Sequence, residues 1–462
     1  MKRIFSILIL VFSTAVVLTT CGGGGGGGTN PNPTYTVTYN GNGNTGGSVP
    51  VDSTNYQPGQ TVTILGNTGN LVNTNFTFAG WNTQADGSGT TYAQGQTFAM
   101  GTVNVTLYAK WTATPPTCIP SGDQQDINAK LSQAGDVAVL CSGAVFELTA
   151  PVVFSADSQQ VYTEGFPTDD RRAVLRVASA SEPSAVLMRD RSDAVLSNVI
   201  VDGNRPNLGP RSGQALIYAG GGASGQVIRE VKAFDTRSWS TIQIIEGGSI
   251  PCTGALVENN EIGPAGQSDD WADGISFACT NSVVRNNTIT DATDGAIVIF
   301  GAPGSLIEDN VIRAESRTLL GGINMVDYTV YEGDYTGTVV SGNVIDAAGA
   351  VIRIGLGMGS RVWGCLDPNQ VTLFGAVVTG NILRGEHMQY GFAVDGVRDW
   401  TVMDNEDLAT HSGTPTVDCG GIVASPPAGF QYNSDHADGI FQNEFTEANL
   451  DLALWAIEEP RP

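Results

Sequence analysis

One short pattern recurs through most of the chain and restricts its fold more than any other feature. It reads Leu256-Val257-Glu258-Asn259-Asn260-Glu261-Ile262, Val283-Val284-Arg285-Asn286-Asn287-Thr288-Ile289 and Leu306-Ile307-Glu308-Asp309-Asn310-Val311-Ile312. It returns as Val339-Val340-Ser341-Gly342-Asn343-Val344-Ile345 and Val377-Val378-Thr379-Gly380-Asn381-Ile382-Leu383, with an earlier form at Val195–Ile200. From Asn260 the successive steps between the asparagines are 27, 23, 33 and 38 residues, one coil of chain plus loops of varying length. A unit this short buries its apolar side only by stacking on its neighbours. Stacked coils bring short strands into parallel pairs about 4.8 Å apart, and an Asn repeated at each turn can bond its neighbour and satisfy backbone groups left unpaired by the bend.

A second row precedes the Asn lines: Ala272-Asp273-Gly274-Ile275, Thr293-Asp294-Gly295-Ala296, Leu320-Gly321-Gly322-Ile323 and Ala348-Gly349-Ala350-Val351. The expectation is two strand rows per coil. No Trp-Asp blade signature or leucine consensus points to a propeller or a horseshoe. These rows resemble the pectate-lyase-like superfamily, which implies an all-β fold, a right-handed parallel β-helix, over residues 118–462. Asp123 to Ala134, with Ile127 and Leu131 four apart, is expected to form a short helix capping the first coil.

The N-terminus is organised differently. Lys2 and Arg3, the apolar run Ile4 to Leu18 and Thr19-Thr20-Cys21 have the layout of an export signal, residues 1–20, and are too short to span a membrane. Leu18-Thr19-Thr20-Cys21 resembles a bacterial lipobox, which implies lipidation of Cys21, a membrane anchor and an outer-membrane envelope address. Seven glycines, Gly22 to Gly28, open a tether over 21–33.

Between Thr34 and Thr112 the only charges are Asp52, Asp86 and Lys110, and period-two runs such as Tyr35-Thr36-Val37-Thr38-Tyr39 read as strands. Val37–Gly43, Phe78-Ala79-Gly80-Trp81-Asn82-Thr83 and Leu107-Tyr108-Ala109-Lys110-Trp111-Thr112 resemble the Listeria–Bacteroides repeat of internalin-type surface proteins. That implies a small β-grasp-like module at 34–112, with a linker at 113–117. Trp81 and Trp111 fit its core better than a sugar platform.

With 22 basic against 46 acidic residues, the net charge is −24, so nucleic acid is excluded as a partner. Six cysteines follow Cys21, an even number in an exported chain, which favours disulfides. Neighbours in sequence are the favoured pairs: Cys118 with Cys141, Cys252 with Cys279, and Cys365 with Cys419.

Chemistry is expected at the acidic patch. Asp273 and Asp294, 21 residues apart and each before a Gly, are read as stacked one rung apart, with Asp270 and Asp291 beside them. Crowded carboxylates raise one pKa or demand a cation, so the four could form a Ca²⁺ site or an acid–carboxylate pair, or simply hold Asp-Gly turns. The patch is similar to the polygalacturonase family, whose acids would fall at Asp273 and Asp294, although Ala272 replaces a Thr and no Gly-His-Gly follows. In pectate-lyase-like enzymes a Ca²⁺-bound acidic cluster neutralises a uronate and a basic residue removes its proton, which the resemblance would assign to Arg353. By alternation Ile323, Met325, Ile352 and Ile354 point inward while Asn324 and Arg353 point outward. The insertion with Tyr328 and Tyr331, and the one around Trp363, could line a sugar-binding rim.

Two functions fit: a monomeric envelope protein that cleaves polysaccharide as lyase or hydrolase, or a non-catalytic glycan-binding adhesin.

Overall fold

The computed structural model of the chain describes residues 32–450, apart from 75, 114–117, 249, 268–269, 328–329, 363–370, 414, 416 and 419–421. Cys21, Tyr328, Trp363, Cys365 and Cys419 lie outside the described residues. The chain divides into two units at Pro115 and Pro116.

In the first unit, strand Val37–Asn40 runs parallel to Val105–Ala113, which pairs antiparallel with Phe76–Asn82. A bulge between Phe78 and Trp81 turns the strand at Gly80, whose φ is +114° and where a Cβ would stand 2.7 Å from the Tyr92 carbonyl. Trp81 is thereby driven into the core, its ring 4.6 Å from that of Tyr39 and its indole N–H donating to Leu65 O at 2.9 Å. Trp111 donates to the carbonyls of Gly41 and Asn42. Both indoles are committed to the module itself, as the sequence suggests.

The second unit is a stack of coils, each contributing to three parallel sheets of 12, 10 and 12 strands. Three sheets replace the expected two rows, and the coil from Leu256 shows why. What reads as one apolar line is two strands, Leu256–Glu258 and Glu261–Ile262, bent apart at Asn259 and Asn260; the third is Asp273–Thr280. The bend needs a left-handed residue, and Asn259, Asn286, Asp309, Gly342, Gly380 and Asp404 supply it with φ between 53° and 66°. Asn, Asp and Gly tolerate that region best, which is why Asn-Asn, Asp-Asn and Gly-Asn dipeptides recur.

The second residue of each dipeptide builds a ladder. Asn260 Nδ2 donates to Asn287 Oδ1 at 2.8 Å, Asn287 to Asn310 at 2.9 Å, Asn310 to Asn343 at 2.9 Å and Asn343 to Asn381 at 2.8 Å. The ladder continues through Asn405 to Gln442, two members the sequence reading missed. Each Oδ1 also accepts the backbone N–H of the preceding rung, so the corner is satisfied throughout. Inside, Ile275, Ile297, Ile323, Leu356 and Phe392 stack in one buried column.

The capping helix is shorter than expected, Gln124–Asn128, started by Asp123 in a capping box with Asp126. Its Ile127, with Leu131 beyond it, still covers the first coil. Cys118–Cys141 and Cys252–Cys279 are disulfides, the latter joining register partners of adjacent rungs.

Candidate functional site

The third sheet carries a bend that decides which side chains face outward. Gly274, Gly322 and Gly391 sit where an added Cβ would press the next rung's backbone oxygen at 2.5, 2.4 and 2.3 Å. At Gly274 and Gly322 it would also point into the coil, 2.8 Å from Ile289 and Ile345 methyls. With this position and the next both turned inward, the residue before it turns out. That outward column reads Ser240, Asp273, Gly295, Gly321, Ile354 and Tyr390. Ile354 therefore faces outward, contrary to simple alternation, and packs in a cluster separate from the coil interior; Ile323, Met325 and Ile352 do point inward.

The acids fall differently from the expected stack. Ile275 pairs with Ile297, an offset that places Asp273 level with Gly295 and Asp294 level with Ala272. Aligning the two Asp-Gly dipeptides slips the register by one residue. Asp273 is 4% exposed; its Oδ1 accepts Gly295 N–H at 3.0 Å and its Oδ2 lies 2.7 Å from Ser276 Oγ. Burial, reinforced by the charge of Asp294, holds the Asp273 carboxyl well above the usual carboxylate range, although Ser276 and Gly295 pull the other way. Asp294 is half-buried beside it.

The other two acids are engaged elsewhere. Asp270 Oδ2 pairs at 2.8 Å with Arg205, a nearly buried guanidinium that also donates to the Thr236 carbonyl. Asp291 accepts the amides of Glu315, Ser316 and Arg317 and the Ser316 hydroxyl; burial would raise its pKa, but these four donors outweigh it and the net shift is downward. The expected four-carboxylate Ca²⁺ cluster of Asp270, Asp273, Asp291 and Asp294 is thus not assembled. Among the described residues the only trio of metal-capable groups within reach of one another is Cys118, Cys141 and Glu164, and both cysteines are spent in a disulfide.

Asn324 does face outward, in the column Gln243, Ser276, Val298, Asn324, Gly357 and Ala393. It has no exposed surface, yet neither its Oδ1 nor its Nδ2 has a hydrogen-bond partner. Gly321 and Gly295 make room for it: a Cβ on Gly321 would overlap Oδ1 at 2.0 Å, and one on Gly295 would stand 2.9 Å from Nδ2 and 3.4 Å from Asp273 Oδ1. Arg353 shares a column with Asp294, but Leu320 occupies the rung between them, about 10 Å of separation at two strand spacings. It is not beside Asp273. Tyr331 is packed down: its hydroxyl donates to Ala278 O at 2.7 Å, and burial raises its pKa. It lines no rim.

The sequence reading missed Trp239, which stands immediately before Ser240 and is 39% exposed; its carbonyl accepts Asp273 N–H at 2.8 Å. The only signal for it was register, since it belongs to no repeated motif. A buried acid with a raised pKa, a second carboxyl and the hydroxyls of Ser240 and Ser276 thus gather at one place on the third sheet.

Residues 35–110 match the Listeria-Bacteroides repeat domain family, and residues 184–406 match the right handed beta helix region family. Two curated proteins of Evansella cellulosilytica align over short stretches. One, named as a Gly-rich membrane protein, is 61% identical over 41 residues, 9% of this chain and 5% of its own; the other, named as a membrane protein, is 50% identical over 38 residues, 8% and 6% of the two chains. The chain spans about a twentieth of the length of these relatives. Among solved structures, an alginate lyase from Paenibacillus sp. str. FPU-7 aligns with a TM-score of 0.43 and 13% identity over 63% of this chain and 97% of that one. PfbA, a surface adhesin of Streptococcus pneumoniae, aligns with a TM-score of 0.39 and 10% identity over 71% and 95%. These likenesses are of strand arrangement alone. The chain carries a Listeria–Bacteroides repeat domain followed by a right-handed β-helix region.

Proposed function

We propose that the outer face of the third sheet hydrolyses a polysaccharide in the cell envelope. The observation that carries this reading is Asp273, a buried carboxyl beside Asp294 whose pKa is held well above the usual carboxylate range by burial and by that neighbour's charge. A buried carboxyl with a raised pKa beside a second, more exposed carboxyl is the arrangement general acid–base cleavage of a glycosidic bond can use. Asp273 gives its proton to the leaving oxygen while water attacks the anomeric carbon and passes a proton to Asp294. Trp239 offers an exposed face for a sugar ring, and the buried Ser276 hydroxyl, 2.7 Å from Asp273 Oδ2, orients the acid. A lyase reading is less well supported: Arg353 is two rungs from Asp294, and Asp270 and Asp291 are bound elsewhere, so the acids and the base expected of it are not brought together among the described residues.

The lipobox-like segment supports attachment through Cys21, with the seven-glycine tether and the repeat module as spacer. Incubation with starch, xylan, a β-1,3-glucan, dextran and alginate tests the activity. New reducing ends without absorbance at 235 nm are expected. Absorbance at 235 nm would establish elimination instead, and binding without any cleavage would establish the adhesin. Cys21→Ser should move the protein from the membrane to the soluble fraction; unchanged membrane association sinks the anchor.

A further inference from the structure

From Val195 onward the chain passes from the first sheet to the second within one or two residues, as at Asn198 and at Asn259-Asn260. One earlier coil does not. Between strands Gln160–Thr163 and Ala173–Val177 the same corner takes residues 164–172, and an insertion of this kind into a repeat is a loop the stack itself does not need. It is pinned rather than loose. Arg172, 2% exposed, donates to the carbonyls of Asp169 and Glu230 and to the Glu261 carboxylate, and the Pro167 carbonyl accepts Asn198 Nδ2 at 3.1 Å.

Within this loop Phe166 holds a backbone conformation it should avoid. Its φ is +52°, and among the described residues it is the only non-glycine residue at positive φ that is neither polar nor charged; the others are Asn, Asp, Ser and Glu. A bulky residue is costly in that region, and a following proline, here Pro167, pushes it further toward extended backbone. The bond from Phe166 N–H to Thr163 O at 3.0 Å and the one from Asn198 to Pro167 fix the chain on both sides. Strain of this kind persists only where the surroundings impose it, which raises the question of what the side chain is for.

The ring does not serve the core. It is 54% exposed although Tyr162 stacks on it, with centroids 4.7 Å apart and planes 24° from parallel, so its other face is open. Around it Glu164, Asp169, Asp170 and Arg171 are exposed, and Arg171 Nε meets both oxygens of Asp169 at 3.0 Å. A protein partner would be met by an apolar patch of several hundred Å², about 300 to 600, whereas here one aromatic face lies in a polar surround. A sugar ring suits that setting, because its C–H face stacks on the aromatic while its hydroxyls reach the polar rim. Three carboxylates against one guanidinium favour an uncharged sugar over a uronate.

We propose that Phe166, backed by Tyr162, is a binding platform for an uncharged polysaccharide, separate from the acid pair. Its coil continues into Val186–Leu187 of the third sheet, three rungs before the strand of Asp273. The ligand class rests on the proposed function; the exposed, strained and stacked ring does not.

Affinity electrophoresis through the same five polysaccharides, with thermal melts, compares the full chain with Phe166→Ala, Phe166→Tyr and Phe166→Asn. At least one polymer other than alginate should retard wild type and Phe166→Tyr alike, and its hold should weaken at least about fivefold in the Ala and Asn variants. Phe166→Asn, which tolerates positive φ, should melt within about 2 °C of wild type or above it. Retardation by no polymer, by alginate alone, or to an extent that ignores Phe166 overturns the platform. A clear fall in the melting temperature of Phe166→Asn also overturns it, since the ring would then be a packing residue. Cleavage of a polysaccharide whose retardation ignores Phe166 leaves the hydrolase standing without the platform; retardation that depends on Phe166, with no cleavage, does the reverse.

Discussion

Asn310 and Asn324 are both wholly buried in the same solenoid, fourteen residues apart, and they live in opposite circumstances. At the corner, Asn310 gives its Nδ2 to Asn343 Oδ1 and to Val284 O, and its Oδ1 accepts both the N–H and the Nδ2 of Asn287. On the outer face of the third sheet, Asn324 has a cradle of two glycines and no partner at all. A polar group that holds a fold together is saturated, because an unmade buried hydrogen bond costs about 1 to 3 kcal/mol. A polar group left unsaturated beside a buried acid whose pKa is raised marks a surface shaped for something else. The corner is architecture; the outer face is the place to look for chemistry.

The sharpest way to break this contrast is Asp273→Asn. The amide keeps the shape but carries no transferable proton, so loss of turnover by about a hundredfold or more is expected. Stability should not fall with it. Because the folded carboxyl sits above its unfolded value near 3.8, the folded state holds a proton that the unfolded chain has released. The group therefore lowers stability as pH rises past the unfolded value, and an amide that never ionises removes this penalty. Activity assays and thermal melts at neutral pH read the two effects separately; a melting temperature that drops with activity would return Asp273 to the architectural class. A hydrolase should also ignore chelators, whereas Ca²⁺-dependent elimination would be abolished by them.

Next in size is Asn310→Ala, which strips acceptors from Asn287 and a donor from Asn343 in the middle of the ladder. About 3 kcal/mol of unfolding free energy should be lost in a urea titration. Asn324→Ala removes no hydrogen bond and should cost under about 1 kcal/mol, while weakening whatever glycan binds. Equal destabilisation by the two substitutions would erase the distinction.

The same contrast explains what the sequence disclosed. Ladder asparagines repeat because each rung needs the same bond at the same height, so Asn260 through Asn381 could be read by spacing alone. Asn405 hid because its line, Thr401-Val402-Met403-Asp404-Asn405-Glu406-Asp407, opens on Thr, has Met at the third position and ends on Asp where the other lines end on an apolar residue, and Gln442 because a longer amide closes the series. The two-row reading failed where an apolar line spans a corner. Asp273 and Asp294 were picked out correctly as neighbours, but identity of dipeptides is a poorer guide to register than the buried column of Ile275 and Ile297. Outward residues carry no stacking requirement, so Trp239, the outward turn of Ile354 and the downward packing of Tyr331 left no periodic trace. Asp270 and Asp291 looked like metal ligands because their partners, Arg205 and the amides of 315–317, are remote in sequence.

The smallest expected effect concerns a paired polar group near the last coils. His411 Nε2 lies 2.8 Å from Asp407 Oδ2 and its Nδ1 2.7 Å from Gln389 O, so a doubly protonated ring satisfies both contacts as donor. Burial depresses its pKa, but Asp407 and the Gln389 carbonyl outweigh that and the net shift is upward. Glycine at 429 and 391 is what lets Asp407 approach, since a Cβ would stand 2.1 and 2.7 Å from its Oδ2. The pair joins the second sheet, through Glu406–Asp407, to the third, through Met388–Val394. For a group whose folded pKa is raised, the stabilisation is complete below the unfolded value near 6.5 and is lost as pH rises through the folded value. Wild type should therefore exceed His411→Gln in stability by about 1 kcal/mol at pH 5.5, with the difference shrinking by pH 9. Taking that difference by urea unfolding at both pH values cancels His387, His436 and the carboxylates common to both proteins. A gap that widens toward pH 9 would mean the ring is held neutral and donates to only one of Asp407 and the Gln389 carbonyl.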